Sequence, residues 1–315
     1  MSLLLRRGMG GAGKIVCVQR PFSTMTRCME KAKIQEPEKI QKTDFSKLRD
    51  TYETPHNPIV LAHGLFGFDE FRLAGNLLPG VEYWRGIREA LQLKKIEVIV
   101  TSVPPSGSIE ARAARLAESI EEKAGGRSVN IIAGLDSRYM ISQLKPSSVK
   151  VMSLTTIATP HRGSGFADYV FDTIGPQHAP RIFKAMESVG LETGAFTQLT
   201  RKYMTKTFNP KTPDLDSVRY YSYGASLEPA HFSVFRASHD IIKRLENAPN
   251  DGLVSVPSSK WGEYKGTITG VSHLDLINWT SRVKHWFRVL TGTPAHFDGT
   301  ALYLHIADML AKQGL

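Results

Sequence analysis

Val129-Asn130-Ile131-Ile132-Ala133-Gly134-Leu135-Asp136-Ser137-Arg138 is the stretch from which the fold is read. A short run of apolar residues, too brief for a helix, ends at a glycine and passes into a helix-compatible segment. Strands buried on both faces read as near-continuous apolar runs. The stretch therefore predicts a strand over Ser128–Ala133 and a helix over Arg138–Leu144. The same rhythm extends outward. Upstream, Pro58–Ala62 reads as a buried strand, Tyr83–Leu91 as a helix and Ile96–Val100 as a strand. A loop marked by Pro104, Pro105 and Gly107 leads to the clearest helix, Ile109–Lys123. Its Ile109, Ala113, Leu116, Ala117, Ile120 and Ala124 recur at helical spacing, and Gly125-Gly126 stops it. Downstream, Val149–Ala158 reads as another strand. Strand alternating with helix predicts an α/β fold with a mainly parallel sheet, helices on both faces.

Two regions break the rhythm. Residues 31–57 are polar, charge-rich and punctuated by Pro37 and Pro55, which reads as a linker before a domain over residues 58–315. Residues 161–248 mix helical stretches, Ala179–Val189 and Ala237–Leu245, with Gly- and Pro-marked loops and one strand-like run, Arg219–Gly224. An insertion of that size between sheet strands is expected to form a helical lid.

The chain has 315 residues, 41% apolar and 22% charged, an ordinary composition for a soluble globular protein. No apolar run approaches the roughly 18 residues of a membrane span. The net charge of +10 is unevenly placed: Arg6, Arg7, Lys14, Arg20 and Arg27 all precede the first acidic residue, Glu30. An Arg-rich, hydroxyl-containing, acid-free segment over residues 1–30 has the composition of a mitochondrial transit peptide, the alternative being a disordered basic tail. The remaining charge is too diffuse to argue for nucleic acid. Both cysteines, Cys17 and Cys28, lie in that segment, so the rest of the chain carries no thiol for a disulfide, a zinc site or a nucleophile.

Three further stretches carry chemistry. His63-Gly64-Leu65-Phe66-Gly67-Phe68-Asp69 follows a strand directly, and its glycines let backbone amides turn toward a developing oxyanion. The amide of Leu65 is the candidate donor. Asp251, in the sharp turn Asn250-Asp251-Gly252, is a candidate acid, and His273, 22 residues later, a candidate base. A carboxylate hydrogen-bonded to an imidazole fixes its tautomer, the arrangement with which a serine is activated. The order oxyanion loop, acid, base leaves a place for the nucleophile at the strand-to-helix turn of residues 133–135, where a Gly-x-Ser-x-Gly would stand. None is there.

With HGLFGFDEF, VNIIA…GLDSRYMIS, TIATPHRGS, NDGLVSVPSSKWGEY and SHLDLINW in order over residues 58 to about 290, the chain resembles the triacylglycerol lipase family of the α/β-hydrolase superfamily, which joins bacterial lipases to a fungal mitochondrial lipase. The resemblance implies an α/β-hydrolase fold with a lid over an acyl pocket, Leu65 as oxyanion donor, Asp251 as triad acid and His273 as triad base. It implies neutral lipid or acyl ester as substrate and a lipid surface as partner, while the composition of residues 1–30 is what points to a mitochondrial location. Family members read roughly Ile-Ala-His-Ser-Met-Gly-Gly-Leu-Asp at the elbow. Here Ala133 runs directly into Gly134, so the nucleophilic serine and the second oxyanion amide are missing between them. Ser137 and Asp136 are the candidate substitutes, but Ser137 corresponds to a position beyond the apex, and Arg138 stands where an Asp136-centred elbow needs a small residue.

Four residues are close to one helical turn, so the following helix can lose them with a rotation of only ~40°. Leu135, Tyr139 and Leu144 are then expected to reach the core, with Gly134 making the turn. Relatives often carry calcium near the histidine loop. Asp275 matches one ligand, but Trp279 replaces an expected amide, and one donor falls short of the six to eight oxygens calcium takes; no other cofactor is implied. Trp261, Tyr264 and Trp279 read as packing aromatics, and Arg112, Arg115 and Lys123 as a solvated helix face. The chain thus reads as a hydrolase without turnover (a splice or gene-model variant of an active lipase), as a lipid-binding pseudoenzyme, or as a hydrolase with a relocated nucleophile.

Overall fold

A computed structural model describes residues 45, 47–64, 70–71, 81–82, 84, 86–104, 107–173, 197–231, 233–278 and 297–315, all within the compact unit Glu38–Leu315. Its centre is a six-stranded sheet of β1 (Ile59–Leu61), β2 (Val98–Val100), β3 (Ser128–Ala133), β4 (Lys150–Ile157), β5 (Arg219–Ser226) and β6 (Glu263–Thr269). The spatial order is β2-β1-β3-β4-β5-β6, and every pairing is parallel. Glu70–Phe71 and Val81–Glu82 form a separate antiparallel pair. The α/β-hydrolase expectation holds for the sheet.

Parallel strands need crossovers, and these place helices on both faces. On one face α1 (Ile87–Leu93) and α5 (Gly299–Lys312) cover Ile59, Leu61 and Ile132 with Ile87, Leu91, Leu302, Ile306 and Leu310. On the other, α2 (Ile109–Ala124) covers Val60, Val129, Ile131 and Leu154 with Ala113, Leu116 and Ile120. α2 begins at Ser108, whose side chain accepts from the Ala111 amide, and ends at Gly125 in the left-handed region. Both ends agree with the spacing read from the sequence, to within one residue.

The strand expected over Arg219–Gly224 is not part of an inserted cap. As β5 it sits between β4 and β6 in the central sheet, so the expected insertion over residues 161–248 is interrupted by a core strand. Its polar face is satisfied inside the sheet: Ser222 is fully buried and exchanges hydrogen bonds with the Trp261 backbone. Between β4 and β5 the chain is helical over residues 165–173 and again over 201–211. The helix expected over Ala179–Val189 lies outside the described residues, as does the expected transit peptide. After β5, α4 (Arg236–Glu246) matches the expected Ala237–Leu245 closely. Among the described residues no helix is long and apolar enough to cross a membrane.

Part of the expected linker is packed structure. Phe45 is buried, edge-on to Phe297 and His305. Asp308 of α5 accepts from Arg49 Nη2 at 2.8 Å, from the Glu53 amide at 2.9 Å and from Lys312 Nζ at 2.9 Å. The His56 amide donates to the Leu315 carbonyl at 2.7 Å. Burial alone would raise the Asp308 pKa, but the Glu53 amide and the two cations outweigh it and bring it down to about 2. That stabilisation is present above the ordinary carboxylate value and disappears as pH falls through about 2. Asp308→Ala should lower stability at pH 7 by about 1–3 kcal/mol in urea unfolding, with the difference shrinking in strong acid.

Candidate active site

β1 and β3 are neighbours that the chain leaves in opposite directions, since β2 lies beyond β1 and β4 beyond β3. At such a switch the loops diverge and open a crevice at the carboxyl ends of the strands. Leu61 is in register with Ile132, and the Ala62 amide donates to the Ile132 carbonyl at 3.2 Å. The loops after β1 and β3 therefore emerge side by side. A cavity of about 420 Å³ lies there. Its wall includes Ala62 and Gly64 after β1, Gly134, Leu135 and Asp136 after β3, Ala158, Thr159 and Pro160 after β4, and His273 and Leu274. Trp84, Ile109, Ile157, Phe166, Leu199, Leu253, Leu276, Ile277 and Tyr303 make most of the remainder apolar. Leu65, the candidate oxyanion donor, lies outside the described residues.

The expected acid and base meet. Asp251 is 0% exposed, and its Oδ1 accepts from the Leu253 and Val254 amides at 2.9 and 2.8 Å. Gly252 makes this turn possible: its φ is 98°, and a side chain there would run into Phe235 at 2.7 Å. Asp251 Oδ2 accepts from His273 Nδ1 at 2.8 Å, while the His273 amide donates to the Asp251 carbonyl at 3.0 Å. A carboxylate that only accepts fixes the hydrogen on Nδ1. Nε2 is left as the nitrogen available to the cavity, and it has no partner among the described residues. His273 is a third exposed. Burial would lower its pKa, but the charge and hydrogen bond of Asp251 outweigh burial and hold it above the ordinary histidine value.

The third position is a turn without a hydroxyl. β3 ends at Ala133 and the next helix, α3 (Leu135–Tyr139), begins after Gly134 alone. A wider π-helical turn, Met140–Leu144, completes that helix. Leu135 is buried against Ile109, Met204 and Phe208, and Tyr139 packs beside it, as expected; Leu144 is exposed instead. Gly134 has φ −132°, so the turn makes no use of left-handed backbone. Ser137 is fully buried, its Oγ has no hydrogen-bond partner among the described residues, and it is not part of the cavity wall.

Arg112 does not lie on the solvated helix face expected of it: it is 1% exposed and lines the cavity. Its Nη2 lies 2.8 Å from Asp136 Oδ2 and 3.0 Å from the His63 carbonyl, its Nε 2.9 Å from Asp136 Oδ2, and its Nη1 donates to the Pro104 carbonyl. The signal was present: Arg112 follows Ile109 by three residues and precedes Leu116 by four, on the buried stripe. Burial holds the Asp136 pKa above the ordinary carboxylate value against the pull of Arg112. Bound to that guanidinium, Asp136 is poorly disposed to act as a nucleophile. Arg115 does lie exposed, paired with Glu118.

The Thr159–Gly163 stretch divides. Thr159 and Pro160 line the cavity, whereas His161 turns into the core, donating from Nε2 to Thr156 Oγ1 at 2.9 Å and stacking on Trp261. Burial and then Arg138 hold its pKa well below the ordinary histidine value, so it stays neutral. Arg138 lies 3.6 Å over the Trp261 ring and donates to Asn209 and to the Thr212 carbonyl. Trp261 and Tyr264 pack as expected, and Trp279 lies outside the described residues. Asp275 Oδ2 is taken by the amide and hydroxyl of Ser272 at 3.0 and 2.7 Å. Among the described residues no group of three His, Cys, Asp or Glu is placed to hold a metal ion.

Comparison with known proteins decides the family. No protein-family model matches the chain. Triacylglycerol lipase 2 of Saccharomyces cerevisiae is 39% identical over 320 residues, covering 86% of this chain and 96% of its own. The chain belongs to the triacylglycerol lipase family. A triacylglycerol lipase of Vibrio cholerae is 29% identical, with 84% and 90% covered. Among solved structures, the Staphylococcus hyicus lipase superposes with a TM-score of 0.59 at 19% identity, over 84% of this chain and 98% of that one. At that identity the likeness speaks for the α/β-hydrolase fold alone.

Two outcomes follow from the geometry. Asp251→Asn should move the His273 titration downward in histidine NMR, because it removes the charge that offsets burial. In the wild type the stabilising His273–Asp251 charge pair is fully present below the ordinary histidine value of ~6.5. It is lost as pH rises through the higher folded value. Arg112→Met strands a buried carboxylate and should cost about 3–5 kcal/mol in chemical denaturation. Adding Asp136→Asn should recover much of that loss.

Proposed function

We propose that this polypeptide is a member of an ester-hydrolysing family that performs little or no hydrolysis itself, while keeping a formed acyl pocket. The observation that carries this reading is the direct passage from Ala133 through Gly134 into α3, beside a His273–Asp251 pair whose Nε2 has no hydroxyl partner among the described residues. In acyl transfer by a serine hydrolase, the serine attacks the carbonyl, histidine takes its proton, and backbone amides bear the oxyanion charge. Here Asp251 and His273 would be the acid and base and Leu65 one oxyanion donor. The attacking group and the second amide are absent together. Loss of the serine alone is worth as much as ~10⁶ in kcat in a serine hydrolase.

The substrate class read from the family is a neutral lipid or other acyl ester, met at a lipid surface. A mitochondrial location is read from the acid-free, Arg-rich composition of residues 1–30. An active counterpart differing by twelve in-frame nucleotides would make this chain its inactive form. Without such a counterpart, the chain is a lipid-binding pseudoenzyme in its own right. Transcript sequencing across the codons of Ala133 and Gly134 separates these two.

The purified chain should show no saturable p-nitrophenyl ester turnover and no fluorophosphonate adduct. Inserting His-Ser-Met-Gly between Ala133 and Gly134 should raise turnover by ~10³ or more, within what a restored nucleophile supplies. A covalent adduct on Ser137 in the unaltered chain would reject the reading.

A further inference from the structure

We infer that the cavity beneath His273 is a binding site for a free alkyl carboxylate, selected over the corresponding ester or alcohol by direct contact with His273 Nε2. This rests on the reading that the chain does not turn esters over. In a complete serine site, the serine hydroxyl donates its hydrogen bond to this nitrogen. With no hydroxyl at the turn, Nε2 itself becomes the polar group offered to a ligand.

The cavity wall limits what the ligand can be. Its charged groups among the described residues are Arg112, Asp136 and His273. Arg112 is committed on all three guanidinium nitrogens, to Asp136, the His63 carbonyl and the Pro104 carbonyl. It has no fork left to hold a phosphate, and Asp136 beside it opposes a dianion. His273 therefore supplies the one cationic donor of the described wall that is not already engaged. Leu135, Ile157, Leu276 and Tyr303 offer an alkyl chain apolar contact. One unengaged cationic donor in a largely apolar described wall suits a monoanion with a hydrocarbon tail.

The ring is built to receive a proton when such a ligand arrives. Asp251 is fully buried and its Oδ1 is occupied by two amides, so its position is fixed while Oδ2 holds Nδ1–H. Protonation at Nε2 then gives an imidazolium bridging two carboxylates, that of Asp251 behind and that of the ligand in front. The proton comes from solvent, and no covalent bond forms or breaks. An alcohol can donate its hydroxyl to the unprotonated Nε2, and an ester can accept only from a ring already protonated; neither supplies negative charge to draw the proton onto the ring.

Calorimetric titration of the full chain with decanoate and with decanol tests this. The titrations are run about one pH unit above the His273 midpoint, in two buffers of different ionisation enthalpy, so that proton uptake is read directly. Decanoate should bind about tenfold or more tightly than decanol, as a charge-assisted hydrogen bond provides, with uptake approaching one proton. His273→Gln should abolish both the preference and the uptake while leaving decanol binding in place, which also reports that the cavity is intact. Equal affinity for the two ligands, no proton uptake, a preference retained in His273→Gln, or no binding of either would overturn the inference. Hydrolysis of methyl decanoate by the same preparation would instead overturn the reading of a silent site.

Discussion

Parallel pairing of β1 with β3 is the constraint on which the rest of this molecule depends. It brings the ends of two strands, 71 residues apart in sequence at Leu61 and Ile132, into register at one edge. Because the chain leaves these strands toward opposite sides, their loops cannot close over each other, and the crevice follows from topology. The His63–Gly64 loop, the Gly134 turn and the loop after β4 all reach it for that reason. The acid and base arrive from the far strands β5 and β6, whose own parallel register carries Asp251 and His273 to the same edge.

The framework outlasts the loss of its chemistry because the two rest on different residues. Burial of Ile131, Ile132, Leu135 and Met140 holds β3 and its helix in place, and none of these would touch a reacting atom. The Asp251 turn is held by its own backbone amides and by Gly252 against Phe235, and nothing in it leans on the elbow. A site can be disarmed at one strand end while the other strand ends remain in order.

What was legible in the sequence followed the strength of local pattern. β3 and α2 were read to within a residue, since a short apolar run and a capped amphipathic stripe each have one physical solution. The Asp251–His273 pair was read from order and turn chemistry, and the two residues do meet. β5 was misplaced, because Arg219-Tyr220-Tyr221-Ser222-Tyr223 carries polar atoms that only tertiary partners such as the Trp261 backbone satisfy. Arg112 was misread for the same reason. A charged residue on a buried stripe looks solvated until its carboxylate and two carbonyls come into view from elsewhere in the chain. Arg49 and Glu53 escaped because their partner, Asp308, lies on a helix more than 250 residues later.

The Arg112 clamp has a mechanical consequence. One guanidinium ties the start of the loop after β1 at His63, the Pro104 loop and the start of α3 at Asp136. Small independent drifts of these three segments are opposed, since each would expose or strand a buried ion. That flank of the crevice moves as one block or holds still.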